Sequence, residues 1–310
     1  MQQTITQNKN FHWLDVIGPT KDELDEIALK YNLHPTSVQD CLDPVHLPKS
    51  EKINDLGFII LRAYDENCSE EGDSFRELTR KVAIFYSDTF VITIHRKDQS
   101  YITKLKQKWQ GTEAPTKNMI QHLVSDLILG VLHSYEQPIQ NAENLFEELE
   151  MGVFEAHGAK PFMIEDGYYL KRRAAIFKRM LSMTRDLLTK ISTHLDFSPP
   201  HYQDIRERCE RLYFYTDELL ESMNSLLNMY VSLNTQKTNM ASNRLNEVVR
   251  VLTILSVFLL PLNLITGIYG MNFAFMPELS WKWGYPLSLL TMLSVVIGVF
   301  LWFRSKGWLR

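Results

Sequence analysis

A line of small or neutral polar residues runs along one face of a long predicted helix near the C-terminus. Alternate steps of four and three residues give a mean spacing of about 3.5, the repeat of helices in a left-handed supercoil. We call this line the polar seam, and all its members except Val249 and Leu260 are small or uncharged polar residues. It consists of Asn228, Ser232, Thr235, Asn239, Ser242, Asn246, Val249, Thr253, Ser256, Leu260, Asn263, Gly267 and Gly270. Its amide and hydroxyl oxygens can bind water or a hydrated cation.

Two interpretations of the polar seam compete. Small residues let helices pack closely in lipid, which is the simpler explanation of a single Ser or Thr at membrane depth. Polar groups there must face protein or water, however, and the seam continues over twelve steps. This continuity favours a water-filled path lined by several copies of the helix. Since one chain supplies one such helix, the path requires a symmetric homo-oligomer.

The seam carries no charge, and this favours a hydrated divalent cation as the occupant of the path. A ring of carboxylates would bind such an ion strongly and release it slowly, whereas conduction needs weaker, repeated sites. Mg²⁺ gives up its water reluctantly, so neutral oxygens that contact its hydration shell suit it. Val249, Leu260 and the neighbouring Leu252 could close the path as apolar rings that expel water, although simple packing explains them nearly as well.

Two charge-free runs, residues 251–277 and 283–303, lie close to the C-terminus. Each exceeds the roughly 18–20 apolar residues that cross about 30 Å of hydrocarbon as a helix, so both are predicted to span a lipid bilayer. The N-terminus has no apolar core of signal-peptide length. The positive-inside rule therefore predicts a multi-pass protein of the cell (inner) membrane with both termini in the cytoplasm. The basic residues that carry this argument are Lys237, Arg244, Arg250, Arg304, Lys306 and Arg310.

Composition argues against several other functions. The net charge of −4 speaks against a nucleic-acid partner, and the nine histidines show no zinc-type spacing. The three cysteines are scattered, as expected of a reduced cytosolic domain. The sequence contains no Walker A motif, nucleophile–base pair or closed set of metal ligands, so an enzyme is the weakest option.

The fold class predicted is an α+β cytoplasmic domain followed by long helices and two C-terminal transmembrane helices. Strands are predicted over four β-branched and aromatic runs, "FHWLDVIG", "GFIILRAYDE", "LTRKVAIFYS" and "TFVITIHR", and Ser87-Asp88 predicts the hairpin turn between the last two. Helices are predicted over "TKDELDEIALKYN", with Thr20 as its N-cap, over "HPTSVQDCLD", over residues 118–157 and from Met163 to Asp196. A further helix is predicted from His201 to Asn272, roughly 110 Å at about 1.5 Å per residue.

These elements predict six consecutive regions. They are a cytoplasmic α/β domain over 1–115, a helical hairpin region over 116–200, a stalk helix that continues into the first span over 201–272, a periplasmic loop over 273–283, a second span over 284–304 and a basic cytoplasmic tail over 305–310.

The segments "YGMNF", "MPEL" and "WKWGYP", between two such spans, closely resemble the CorA magnesium transporters. The run "NEVVRVLTILSVFLLPLNLITGIYGMNF" is similar to the family's pore helix, and "LHPTSVQDCLDPVHLPK" to its helix–Pro-Lys element before a strand. The resemblance covers nearly the whole chain. It implies a funnel-shaped homopentamer in the membrane that takes up Mg²⁺, and Co²⁺ or Ni²⁺, down the membrane potential.

The resemblance also implies residue roles. Gly270, Met271 and Asn272 would form the periplasmic mouth, where five Asn272 amides receive the hydrated ion and Tyr269 braces them. The family's pore-lining positions correspond to Asn246, Val249, Leu252, Thr253, Leu260 and Asn263, to which the polar seam adds Ser256.

Regulatory Mg²⁺ would be held between neighbouring subunits by Asp40, in "VQDCL", and Asp204, in "YQDIRER". A hydrated divalent ion that bridges two facing acids would hold the closed arrangement, because the acids repel each other without it. Asp43 is a nearby competitor for Asp40.

The sequence departs from the family pattern at several positions. The stretch "NTQKTNMASNRLNEV" holds one extra heptad, which preserves the phase of the supercoil. Val249 and Leu260 stand where methionines are frequent, and Asn263 where threonine is common. These differences bear on ion preference and on the tightness of closure.

Two other functions remain open. Zinc transport on the same scaffold, as in the related ZntB proteins, is the nearest alternative. A membrane-anchored sensor or scaffold is a different class, and it predicts no ion flux.

Overall fold

The computed structural model describes residues 2–8, 11–69, 72–110, 118–154, 160–195, 197, 199–272, 276–277 and 280–308. Pro115, the last residue of the predicted α/β domain, lies outside these residues. The chain forms two compact units, residues 1–230 and residues 231–310.

The first unit is built on a six-stranded sheet with the order β1-β2-β6-β5-β4-β3. Neighbouring strands are antiparallel except for the parallel pair β2–β6. The strands are β1 (Gln2–Asn8), β2 (Phe11–Ile17), β3 (Lys49–Ile53), β4 (Leu56–Tyr64), β5 (Thr79–Tyr86) and β6 (Phe90–His95). The four predicted strands and the β5–β6 hairpin are present. The two edge strands β1 and β3 were not predicted, because their polar sequences lack an apolar run.

Nine helices complete the described part of the chain. They are α1 (Lys21–Tyr31), α2 (Pro35–Leu42), α3 (Phe75–Leu78), α4 (Ser100–Trp109), α5 (Met119–His133), α6 (Glu136–Val153), α7 (Ile164–Ile191), α8 (Pro199–Tyr269) and α9 (Gly284–Ser305). The N-cap prediction for α1 is confirmed: the Thr20 side chain accepts a hydrogen bond from Glu23 N–H, and the Glu23 carboxylate accepts one from Thr20 N–H.

The helix predicted over residues 118–157 is broken into α5 and α6. Ser134 lies at the break, where its hydroxyl oxygen accepts a hydrogen bond from the backbone N–H of Tyr64 at 2.9 Å. The hydroxyl of Tyr135 donates to the carbonyl oxygen of Arg62 at 2.8 Å. Both bonds attach the turn to β4, so a tertiary contact ends a helix that local periodicity alone would continue.

Helices cover both faces of the sheet. Residues alternate along β4, so that Ile59 and Leu61 belong to one core and Phe58 and Ile60 to the other. The first core is shared with α4, α5, α7 and the start of α8, and the second with α1 and α2. The α+β fold class predicted for the N-terminal part is therefore confirmed.

The second unit contains the C-terminal part of α8 and all of α9. Helix α8 has 71 residues, about 107 Å at about 1.5 Å per residue, and remains helical through Pro261. Both helices are long and apolar enough to cross a membrane, and the most apolar 18-residue stretch of α8 has no buried residue. The prediction of two C-terminal apolar helices is confirmed.

Gly152 in α6 lies where the chain returns toward α7. A Cβ atom at this position would lie 2.5 Å from the carbonyl oxygen of Lys160 and 3.1 Å from the backbone nitrogen of Phe162. Backbone atoms cannot move aside as a side-chain tip can. We therefore expect Gly152→Ala to lower the free energy of unfolding by about 1–3 kcal/mol, the usual cost of overpacking.

Thermal melting of the full-length protein in detergent measures this effect. Glu148→Ala is the matched control, because Glu148 is exposed on the same helix. Equal melting temperatures for the two variants would contradict the close approach at Gly152.

Candidate ion pathway and metal site

The apolar part of α8, residues 251–269, has two distinct faces. A half-buried stripe covers one side and comprises Ile254, Val257, Phe258, Pro261, Leu262 and Ile265. This stripe packs toward α9, as the stacked rings of Phe258 and Phe303 show with centroids 5.8 Å apart. The polar seam lies on the opposite side, since Ser256 is about 200° around the helix from Ile254 at about 100° per residue.

Every predicted pore-lining residue is exposed in the single chain. The set comprises Asn246, Val249, Leu252, Thr253, Ser256, Leu260 and Asn263. At Gly267, an added Cβ would have no neighbouring atom within 4 Å. Within the described residues of this unit, the structure thus presents the polar seam as an open surface. One chain brings these residues to one face but does not enclose a path.

The chemistry of this face is that of neutral oxygen atoms. The hydroxyl of Thr253 donates to the carbonyl oxygen of Val249 at 2.7 Å. This bond uses the hydroxyl hydrogen, so the lone pairs of the oxygen remain available as acceptors. Such a face can solvate a hydrated cation without the strong binding of a carboxylate ring.

The predicted mouth follows the end of α8. The sequence predicts helix through Asn272, but α8 ends at Tyr269, three residues earlier. The N–H of Gly270 still bonds to the carbonyl oxygen of Thr266 at 2.9 Å, and a Cβ at Gly270 would lie 3.1 Å from that same oxygen. Glycine therefore fits because of crowding at the helix end. Met271 and Asn272 are exposed beyond it, and part of the loop that follows lies outside the described residues.

Asp40, the first predicted regulatory ligand, is already paired. It lies on α2, one-quarter exposed, and its Oδ2 atom contacts the ammonium of Lys49 at the start of β3. Lys49 also lies 2.8 Å from Glu51 Oε1, and His46 Nε2 lies 3.5 Å from Asp40 Oδ1. Burial disfavours the charged Lys49, but its bonds to Asp40 and Glu51 outweigh this and raise its pKa above the usual value.

The other two acids have different surroundings. Asp204 is exposed on α8, and within the described residues no contact joins it to Asp40. Asp43 accepts a hydrogen bond from the N–H of Val45 at 2.9 Å in a local turn. Within the described residues, three or more His, Cys, Asp or Glu side chains do not converge on a possible metal site.

Cations from the sheet hold the segment that carries Asp40. The Lys81 ammonium donates to the carbonyl oxygens of Asp40 at 2.6 Å, of Cys41 at 2.9 Å and of Asp43. These carbonyls lie at the C-terminal end of α2, where a positive charge is favourable. Burial lowers the pKa of Lys81 to about 8.

Two arginines extend this arrangement. Arg96 donates to the carbonyl oxygen of Leu42 at 2.8 Å. Buried Arg62 donates to those of Pro44 at 3.2 Å and His46 at 3.0 Å. Sequence reasoning missed Lys49, Lys81, Arg62 and Arg96, and the only signal was the Pro48-Lys49 pair of the family-like element.

A second charged cluster lies in the core of the first unit. His95 places Nε2 3.0 Å from Asp15 Oδ1 and Nδ1 2.7 Å from the carbonyl oxygen of Lys97. The His95 ring therefore lies between two hydrogen-bond acceptors. Burial opposes ionisation of Asp15, yet bonds from His95, Lys106 and Thr93 outweigh it and lower its pKa. This cluster ties β2, β6 and α4 together and is a structural feature.

The sequence profile of the CorA-like Mg²⁺ transporter protein matches residues 8–305. The chain belongs to the CorA family. A protein of Bacillus subtilis strain 168 that is named as a metal ion transporter, YfjQ, is 28% identical to this chain over 304 residues. The alignment covers 96% of this chain and 90% of YfjQ. The cobalt/magnesium transport protein CorA of Thermotoga maritima is 25% identical over 308 residues, 96% of this chain and 83% of that protein.

Solved structures show the same fold. The complete CorA magnesium transporter of Methanocaldococcus jannaschii has a TM-score of 0.59 at 23% identity and covers 98% of this chain and 93% of its own. The ZntB cytoplasmic domain of Vibrio parahaemolyticus has a TM-score of 0.52 at 15% identity and covers 74% of this chain and 90% of its own.

Family membership confirms the resemblance drawn from the sequence, and the fold class with it. The chain is a membrane protein of a divalent cation transporter family, and it is not an enzyme.

The role of Lys81 can be tested by its removal. Lys81→Met leaves three carbonyl oxygens without their donor, and we expect it to lower the free energy of unfolding by about 2 kcal/mol. At roughly 2–4 °C per kcal/mol for a domain of this size, the melting temperature should fall by about 4–8 °C.

The measurement is again thermal melting of the full-length protein in detergent. Lys52→Met is the control, because Lys52 is an exposed lysine on β3. If the melting temperatures of Lys81→Met and Lys52→Met are equal, the Lys81 contacts contribute nothing to stability.

Proposed function

We propose that this protein is a channel-like Mg²⁺ uptake system of the cell membrane, with Co²⁺ and Ni²⁺ as further substrates. The observation that supports this most is the uncharged polar seam, exposed on the side of α8 that α9 does not cover. Influx of a divalent cation into a negative cytoplasm is favoured by about 4.6 kcal/mol per 100 mV, so no nucleotide is needed.

The pathway is proposed to form in a funnel-shaped homopentamer. The polar side chains of α8 cannot face lipid, and α9 covers only the opposite, apolar side. Copies of α8 placed around a symmetry axis would enclose the seam and remove it from hydrocarbon. The first span then lines the path, the second surrounds it, and both termini lie in the cytoplasm by the positive-inside rule.

Along this path, Gly270, Met271 and Asn272 are proposed to form the outer mouth. Five neutral Asn272 amides would contact the hydration shell of the incoming ion. Asn246, Thr253, Ser256 and Asn263 would provide further weak sites, which lets the ion move on. Val249, Leu252 and Leu260 are proposed as the apolar rings at which the path closes by loss of water.

Cytoplasmic Mg²⁺ is proposed to regulate the path through Asp40 of one subunit and Asp204 of its neighbour. The exposed position of Asp204 and the one-quarter exposure of Asp40 leave both carboxylates accessible to a second copy. A bridging hydrated ion would replace repulsion between the acids with attraction and favour the closed state.

Transport can be tested in proteoliposomes with an imposed potential and a fluorescent indicator for the ion. We expect Mg²⁺ flux in the wild type and at least about a tenfold loss in Asn272→Ala, which corresponds to about 1.4 kcal/mol of barrier. Asn243→Ala is the matched control, because Asn243 is an exposed asparagine one residue off the seam.

Light scattering on the same proteins in detergent should give five times the chain mass of 36.2 kDa for each variant. Equal flux in Asn272→Ala and Asn243→Ala would refute the role of Asn272. Flux of Zn²⁺ without Mg²⁺ would establish the zinc alternative, and no flux of any divalent ion would favour a sensor or scaffold.

Regulation can be tested by the protection that Mg²⁺ gives against limited proteolysis. We expect Asp40→Asn and Asp204→Asn each to raise the Mg²⁺ concentration at half protection by about tenfold or more, since each removes a ligand charge. Asp55→Asn, an exposed turn residue, is the control. Wild-type midpoints in both ligand variants would place the regulatory ion elsewhere.

A further inference from the structure

The ammonium of Lys49 binds the carboxylate of Asp40, which the proposed regulatory ion would also need. It contacts Asp40 Oδ2 and lies 2.8 Å from Glu51 Oε1, so it bridges two acids. Lys49 and Asp40 are each about one-quarter exposed, at 23% and 25%. An ammonium and a hydrated divalent cation bind the same oxygen atoms, so they compete for Asp40.

The position of Lys49 is fixed by its surroundings. Its backbone pairs with Ile60 of β4, and its ammonium lies 5.4 Å from the ring centroid of Phe58. On the other side, Lys81 holds the carbonyl oxygens of the α2 end that carries Asp40. A competitor attached in this way acts at a high effective concentration that dilution cannot lower.

Glu51 gives the ammonium a second partner. When a metal ion takes Asp40, Lys49 can keep its bond to Glu51 and is not left unpaired. The displacement therefore costs less than the loss of a whole ion pair, which makes Lys49 a removable competitor.

We propose that Lys49 is a tethered competing cation that sets the Mg²⁺ concentration at which the Asp40 site responds. This inference rests on the proposed regulatory role of Asp40. The site is neutralised by the protein's own ammonium at low Mg²⁺, and it exchanges that ammonium for the divalent ion as the concentration rises.

The test is a Mg²⁺ titration of protease protection on the full-length protein. Lys49→Met keeps the chain length and removes the charge, and it should lower the Mg²⁺ concentration at half protection by about two- to fivefold, the range expected for one partly exposed ion pair. Lys52→Met removes the same charge from an exposed position of the same strand and should leave the midpoint unchanged. Glu51→Gln should raise the midpoint, because the ammonium loses its alternative partner.

A second measurement follows the ammonium itself. Acetylation of Lys49 by a water-soluble amine reagent, read by mass spectrometry, should be faster in Asp40→Asn than in the wild type without Mg²⁺. In the wild type it should become faster as Mg²⁺ is added. This readout needs no Lys49 variant, so it decides the question even if Lys49→Met fails to fold.

The outcomes separate the two proposals. If Asp40→Asn loses Mg²⁺ protection while Lys49→Met keeps the wild-type midpoint, the regulatory site stands and the tethered competitor is wrong. If Asp40→Asn keeps the wild-type midpoint, the regulatory role of Asp40 is wrong and the competitor falls with it. Equal shifts in Lys49→Met and Lys52→Met would show a general charge effect and overturn the inference.

Discussion

Hydrocarbon cannot hydrogen-bond to an amide or hydroxyl group, and the arrangement of the membrane unit follows from this constraint. Helix α8 carries a continuous neutral polar face, and α9 packs against its opposite, apolar face. A single chain therefore leaves this polar surface uncovered, and we propose that further copies of the same helix remove it from lipid. The same face supplies the weak oxygen sites that a hydrated ion needs, so assembly and transport are proposed to depend on one set of residues.

In the first unit, cations on the sheet and directly after it determine the environment of Asp40. Lys81, Arg96 and Arg62 bind backbone carbonyl oxygens of the α2 end and the loop behind it, which fixes the backbone. Lys49 binds the carboxylate itself. An acid that looks like a free metal ligand in the sequence is thus part of an ion pair, and any divalent ion must bind in competition with it.

The sequence predicted the elements whose signal is local. The capping box of α1 and the apolar strands of the sheet carry their own signatures, and so do the two charge-free helices. The edge strands β1 and β3 escaped prediction because pairing with a neighbouring strand, rather than burial of both faces, makes them strands. The break between α5 and α6 also depends on a distant partner, since the bonds of Ser134 and Tyr135 reach to β4.

For the site, the sequence by itself determined the polar seam, because helical periodicity assigns residues to a face without any knowledge of their neighbours. It also determined the order of the two spans. Only the tertiary structure showed that the seam lies opposite the face covered by α9. Likewise, only the folded sheet brings Lys49 and Lys81 to α2, because strand pairing joins residues far apart in the chain. Contacts of this kind leave no periodic trace in the sequence, and so the surroundings of Asp40 could be read only from the fold.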